Sequence, residues 1–243
     1  MTRLGLAAIM VALPVMLVAC DRSDPPVEKL ERAAEEIVAE GEAEPLPRQA
    51  QGPFAPRDEC TDQPGGSAFL AELRSAVAAR DAQAFAALAA DDVQLDFGGG
   101  SGRDLLVERL DDPSYDLWTE AAEVLRLGCA SDGATLTMPW YFAQQSTVDP
   151  YNGAIVTGEN VAIHSQPNEE TPRVGIVSWT EVERTGNARP GEEWAEITWK
   201  DDESGEQRTG FIRQKNLRSI IDYRIGAARR NGRWRVTTFI AGD

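Results

Sequence analysis

Residues 155–164 read Ile155-Val156-Thr157-Gly158-Glu159-Asn160-Val161-Ala162-Ile163-His164. Two short β-branched runs stand on either side of a Gly-Glu-Asn turn, with no apolar residue recurring at helical spacing. The same texture continues through Trp194-Ala195-Glu196-Ile197 and Thr209-Gly210-Phe211-Ile212 to Leu217. Short strands separated by turn residues about every 8–12 positions are the mark of a small all-β barrel. The period changes at about residue 150, and that change divides the chain.

Upstream, from Ser67, the spacing predicts helices. Phe69, Leu70, Leu73 and Val77 share one face, with Ser67 as the expected N-cap, and Asp81 can cap a second helix carrying Phe85 and Leu88. Val93, Leu95 and Phe97 alternate as a short strand. A glycine-rich turn at 98–102 then leads into a helix through Leu105, Leu106 and Leu110. A further helix turns Leu117, Trp118, Ala121, Val124 and Leu125 inward. Leu136, Met138, Trp140 and Phe142 alternate as a strand that Pro139 confines to an edge or bulge. Downstream, Asn231-Gly232 between two apolar-alternating runs predicts a type I′ hairpin. A two-residue turn there opposes Arg229 to Trp234, Ala227 to Val236, Ile225 to Thr238 and Tyr223 to Ile240.

The stretch from Val156 to Ser219 resembles the bacterial Src-homology-3 domain. Asn160 to Pro167, with Pro172 and Gly175, looks like its opening strand and loop. Trp194-Ala195-Glu196-Ile197 and Thr209-Gly210-Phe211-Ile212 look like its later strands. Ala162, His164 and Gln166 depart from the usual Asn, Arg and Gly. Asp96-Phe97-Gly98-Gly99 and Ala241-Gly242-Asp243 also match a proteobacterial group in which a helical region precedes such a barrel and a hairpin closes the chain. The resemblance implies an α+β chain: a small helix-rich N-terminal domain (67–150), then an all-β SH3-like barrel with a C-terminal β-hairpin (151–243). It brings an architecture and no activity.

Residues 1–19 read as a secretory signal, with Arg3 before a nearly continuous apolar run too short for a comfortable membrane span. The run ends Leu17-Val18-Ala19-Cys20, which resembles a bacterial lipobox and marks Cys20 for acylation, palmitate included. Multiple acyl chains anchor stably where one does not. Asp21 resembles the signal that retains lipoproteins in the inner membrane, so the expected location is periplasm-facing and lipid-anchored. Residues 20–66, proline-rich and acidic, are expected to form a disordered tether spanning on the order of 40 Å.

Composition limits the chemistry. The 243 residues carry 24 basic and 40 acidic side chains, a net charge of −16, which excludes a nucleic-acid binder lacking a basic footprint. One histidine excludes a multi-histidine metal site, and three scattered cysteines exclude a zinc finger or ribbon. No metal, cofactor or catalytic residue is expected. The glycine-rich turn lacks the third glycine and the lysine of phosphate-binding loops, and adjacent carboxylate pairs read as solvated turns. With Cys20 consumed by lipid, Cys60 and Cys129 remain as an even pair in an oxidising compartment, where a disulfide is expected. His164, Trp179, Trp194 and Trp199 are the candidate ligand contacts on the barrel, although each tryptophan reads more readily as core. Arg229, Arg230, Arg233 and Arg235 crowd the hairpin tip; they are either solvated and balanced by nearby carboxylates, or a contact for an anionic surface. The expected function is a membrane-tethered adaptor whose barrel recognises peptidoglycan or a periplasmic protein. An envelope enzyme with an unrecognised site in the helix-rich domain is the alternative.

Overall fold

The structure is a computed structural model that describes residues 49–186, 191–201 and 204–242. The signal segment, Cys20, Asp21 and the tether as far as residue 48 lie outside the described residues. Among the described residues, four α-helices and two sheets make the fold α+β.

The helices follow their apolar spacing. Helix α1 (Gly66–Ala79) buries Phe69, Leu70, Leu73, Ala76 and Val77. The cap expected at Ser67 is absent, because the helix begins one residue earlier behind Gly65, whose φ of 75° suits glycine. Gly66 presses so closely on the Cys60 carbonyl that no side chain fits. Helix α2 (Ala82–Leu88) starts as expected, with the Asp81 carboxylate accepting the Ala84 N–H at 2.9 Å. Strand β1 (Ala89–Gln94) leads into the glycine turn, where Asp96 accepts the Gly100 N–H and pairs with Arg109. That arginine holds the Asp96 carboxyl below the usual carboxylate range. Helices α3 (Arg103–Asp111) and α4 (Leu117–Arg126) turn Leu106, Leu110, Leu117, Ala121, Val124 and Leu125 inward.

Strands β2 (Ala130–Ser131) and β3 (Thr135–Met138) follow. The strand expected to reach Phe142 stops at Met138, and Trp140–Ala143 form a 3₁₀ turn instead. Pro139 has no N–H to continue a ladder, and here it ends the strand. β3 is an interior strand, paired with β2 on one side and with residues 225–228 on the other, where an edge or a bulge was expected.

The last two strands, β11 (Arg224–Arg230) and β12 (Arg233–Ile240), overturn the grouping of the hairpin with the barrel. They complete the sheet of the helix-rich half, whose order is β1-β12-β11-β3-β2, with β1 parallel to β12. The reason is the face they offer: Ile225, Ala227, Trp234, Val236 and Phe239 are the apolar cover that the helices need. Phe239 stacks on Phe85 at 5.9 Å, and Phe85 meets Trp118 edge-on at 6.2 Å. Arg229 opposes Trp234 and Ala227 opposes Val236 as expected, but then the register slips. Thr237 is an extra residue, so Gly226 faces Thr238 and Ile225 faces Phe239. This β-bulge turns Phe239 into the core, where unbroken alternation would have put Thr238.

The strand-rich half contains β4 (Gly153–Val156), β5 (Val161–His164), β6 (Arg173–Val177), β7 (Glu181–Arg184), β8 (Trp194–Lys200), β9 (Gln207–Arg213) and β10 (Leu217–Ser219). Their order is β10-β4-β7-β8-β9-β5-β6. Val156, Ile163, Val177, Val182, Ile197, Trp199 and Ile212 meet in one core, so the sheet curls around it. It does not close: β10 and β6 stand at the two edges, and β5 touches β9 through the single pair His164–Phe211. A closed barrel is therefore not what the ladders form.

The two halves share a third core of Phe54, Ala55, Leu127, Ala130, Trp140, Tyr141, Ile155 and Trp179. Residues 49–65, expected as the end of a disordered tether, form a strap across it. Their Phe54 N–H donates to the Trp179 carbonyl at 2.8 Å, and the Glu59 N–H donates to the Cys129 carbonyl at 2.9 Å. Proline content signals irregular backbone, but Phe54, Ala55 and Cys60 are buried and give this segment enough apolar contact to be ordered. Cys60 and Cys129 are joined by a disulfide, with Cα atoms 5.7 Å apart, which ties the strap to the helix-rich half. Beside this core Arg218 donates to Glu120 at 3.0 Å and lies 3.6 Å from Asp222. Burial pushes the Tyr141 phenol there up to about 12.

Candidate functional site

A cleft of about 400 Å³ opens beside Trp194 in the strand-rich half. Three parts of the chain converge on it: Pro167 from the β5–β6 loop, Glu192 and Glu193 from the β7–β8 connection, and Gln214 after β9. Strand geometry explains its floor. Side chains alternate along a strand, so Ile197 and Trp199 of β8 face the core while Trp194 and Glu196 face out. Trp194 pairs across the ladder with Arg213, and Glu196 with Phe211. Directly opposed residues share a face, which puts Trp194 and Phe211 on one side of the sheet.

Trp194 is half-buried and held in place. The Arg213 guanidinium lies 4.5 Å from its ring centroid, and the His164 ring meets it edge-on at 5.5 Å. Arg213 is fixed in turn by Glu169 and Glu193, each at 2.8 Å. Its hydrogen bond keeps the Glu169 carboxyl below the usual range. The result is a partly open indole whose cation and edge partners are already arranged, a surface suited to a ring or apolar group of a ligand.

Arg184 supplies the opposite character. It lies two residues from buried Val182 on the inward-facing side of β7 and still lines the cleft. Burial lowers the pKa of its guanidinium below the ordinary arginine value, and among the described residues its buried Nε has no hydrogen-bond partner. With Glu192, Glu193 and Glu196 around the rim, the cleft offers an aromatic floor, the guanidiniums of Arg184 and Arg213, and several carboxylates.

The sequence-derived candidates separate clearly. His164 and Trp194 come together, but His164 is only 5% exposed and lies beneath the indole. Its Nδ1 faces the Thr171 carbonyl at 3.1 Å, so that nitrogen carries the proton and donates. Trp179 is 6% exposed in the core between the halves, and Trp199 is 4% exposed against Gly175 in the strand core. Neither belongs to the cleft. Arg229, Arg230, Arg233 and Arg235 lie together at the hairpin tip, on the helix-rich half. Arg184, Phe211, Pro167 and Gln214 were not singled out from the sequence. For Arg184 a signal existed, a charge at the inward position of an alternating strand. For the others, the loops had to be closed in space first. Among the described residues, no group of three His, Cys, Asp or Glu side chains could hold a metal ion.

No family model and no curated protein matches the chain. Matching solved structures include an NTF2-like protein with a cystatin-like fold from Novosphingobium aromaticivorans. It is 12% identical, with 71% of this chain and 75% of that one covered and a TM-score of 0.25. A Mycobacterium tuberculosis protein of unknown function matches at 10% identity over 90% of this chain and 75% of that one, with a TM-score of 0.25. At such scores neither likeness informs fold or activity.

Proposed function

We propose that the chain is a lipid-anchored, periplasm-facing adaptor whose strand-rich half is an SH3-like ligand-binding module. Its anchor would be the acylated Cys20, with Asp21 favouring the inner membrane. The observation that carries the reading is the cleft at Trp194. An aromatic platform, the half-buried Arg184 and a carboxylate rim suit a short peptide bearing both charges. Peptidoglycan stem peptides and extended tails of periplasmic proteins have that chemistry. A binding role also accords with His164, whose Nδ1 is spent on a backbone carbonyl and whose ring is covered. The curled seven-stranded sheet, with its Trp194 and Phe211 strands adjacent, supports the SH3-like reading.

The test is co-sedimentation of the full chain with purified sacculi. Trp194→Ala is expected to reduce binding on the order of tenfold, and Arg184→Gln by a similar factor. Melting temperature serves as the control for folding. Undiminished sedimentation of a folded Trp194→Ala chain would remove peptidoglycan as the ligand of this cleft.

A further inference from the structure

Seven of the described arginines of this acidic protein are matched to carboxylates. Arg74 faces Asp58, Arg103 faces Asp91, Arg109 faces Asp96, Arg126 faces Glu123, Arg208 faces Asp201, Arg213 faces Glu169 and Glu193, and Arg218 faces Glu120 and Asp222. At the hairpin tip four arginines without such a partner lie together. Among the described residues, none of Arg229, Arg230, Arg233 and Arg235 has a carboxylate within ion-pair distance.

Two of the four are tied to neutral acceptors. Arg229 donates to the Pro64 carbonyl at 2.6 Å and lies over the Trp234 ring at 4.6 Å. Arg235 donates to the Ala87 carbonyl. A carbonyl fixes a guanidinium in position without cancelling its charge. Arg230 and Arg233 are exposed and directly opposed across the strands. Like charges so placed are destabilising. The turn between them is tight, with Asn231 at φ 53° and Gly232 at φ 77°, so the pair is presented on a rigid end. The hollows beside the tip also contain Arg103, Glu72, Asp91 and Asp92, which leaves five arginines against three carboxylates.

We propose that this tip docks on an anionic phospholipid surface, its guanidiniums meeting headgroup phosphates. Arginine is suited to this task, since its planar fork matches phosphate geometry. The patch also lacks what a protein interface needs at its centre. Among the described residues the large exposed hydrophobic side chains are Phe97, Tyr115, Tyr151 and Ile176, none of them on the hairpin. A charge-only contact on a rigid point fits a bilayer surface better than an acidic polypeptide. The net charge of −16 adds direction, because the rest of the molecule is repelled by the surface that attracts the tip. The proposal is independent of the Trp194 cleft.

The experiment uses the full chain carrying Cys20→Ser, so that no acyl group fixes it to the vesicle. Binding is compared between phosphatidylcholine vesicles and vesicles containing phosphatidylglycerol. The apolar residues near the N-terminus act on both compositions, so the ratio reports charge. That ratio should exceed one and fall with salt. Arg230→Gln with Arg233→Gln should lower it on the order of thirtyfold, with the melting temperature unchanged or raised. Equal binding to both compositions overturns the proposal. So does a preference that survives the double substitution, which would place the contact elsewhere. Immobilised polyglutamate is the second arm: a loss there, with none on vesicles, overturns the membrane assignment in favour of an acidic polypeptide.

Discussion

The strand-rich half pairs strands that all lie within one continuous stretch, residues 153–219, and the helix-rich half pairs segments from opposite ends of the described chain. Strands β7, β8 and β9 follow one another and pair in that order. In the other half β1 lies beside β12, and β3 waits for β11, with the whole strand-rich half intervening. The difference separates two kinds of information. Local periodicity states what an element is, helix or strand, and a meander such as β7-β8-β9 needs little more. Where an element goes depends on which apolar face is left uncovered, and that is settled only when distant faces meet. Such non-local pairings also carry the larger loop-closure cost during folding.

That contrast can be tested by damaging one half at a time. Phe239→Ala removes a fully buried ring that only the last strand brings to the helices. It should cost about 3–5 kcal/mol in urea unfolding. Hydrogen exchange should accelerate first in α2, β1, β11 and β12 while β8 and β9 stay protected. Equal acceleration in both sheets would mean that the halves unfold as one unit. Joint replacement of Cys60 and Cys129 by alanine should cost less, about 2–4 kcal/mol. It should also speed exchange at Gln51 and Phe54, because the strap then loses its covalent end. Glu120→Gln is the mildest test. Burial, reinforced by Asp222, pushes the Glu120 carboxyl above its ordinary 4.5, more than Arg218 pulls it down. The folded chain thus holds that proton more tightly than the unfolded one. Glu120 accordingly makes stability fall as pH rises from 4.5 through the raised folded value. The glutamine variant should lack that part of the slope, which denaturation between pH 4 and pH 7 can measure.

Particular residues show where sequence reading succeeds and why it stops. Asn231-Gly232 marked the hairpin and its first pairs because turn chemistry acts over two residues. The slip at Thr237 left no mark, since one extra residue in an alternating run looks like more of the run. Phe54 and Cys60 were the signals that residues 49–65 belong to the fold, and proline content obscured them. At the cleft, Trp179, Trp194 and Trp199 looked alike as strand-half aromatics. What separates them is the face each occupies, and for Trp179 that depends on the strap packed against it. Residues 1–48 carry the anchor reading and lie outside the described structure.

The pairing of Met138 with Ile225 has a topological consequence. The chain leaves the helix-rich half at one of these residues and returns at the other. Opposed residues in an antiparallel ladder lie about 5 Å apart. The entire strand-rich half therefore occupies the place where an ordinary hairpin would need only a short turn. A module mounted this way could be exchanged for a loop, or for another module of any size whose two ends lie equally close, without altering the strand order of the sheet that carries it.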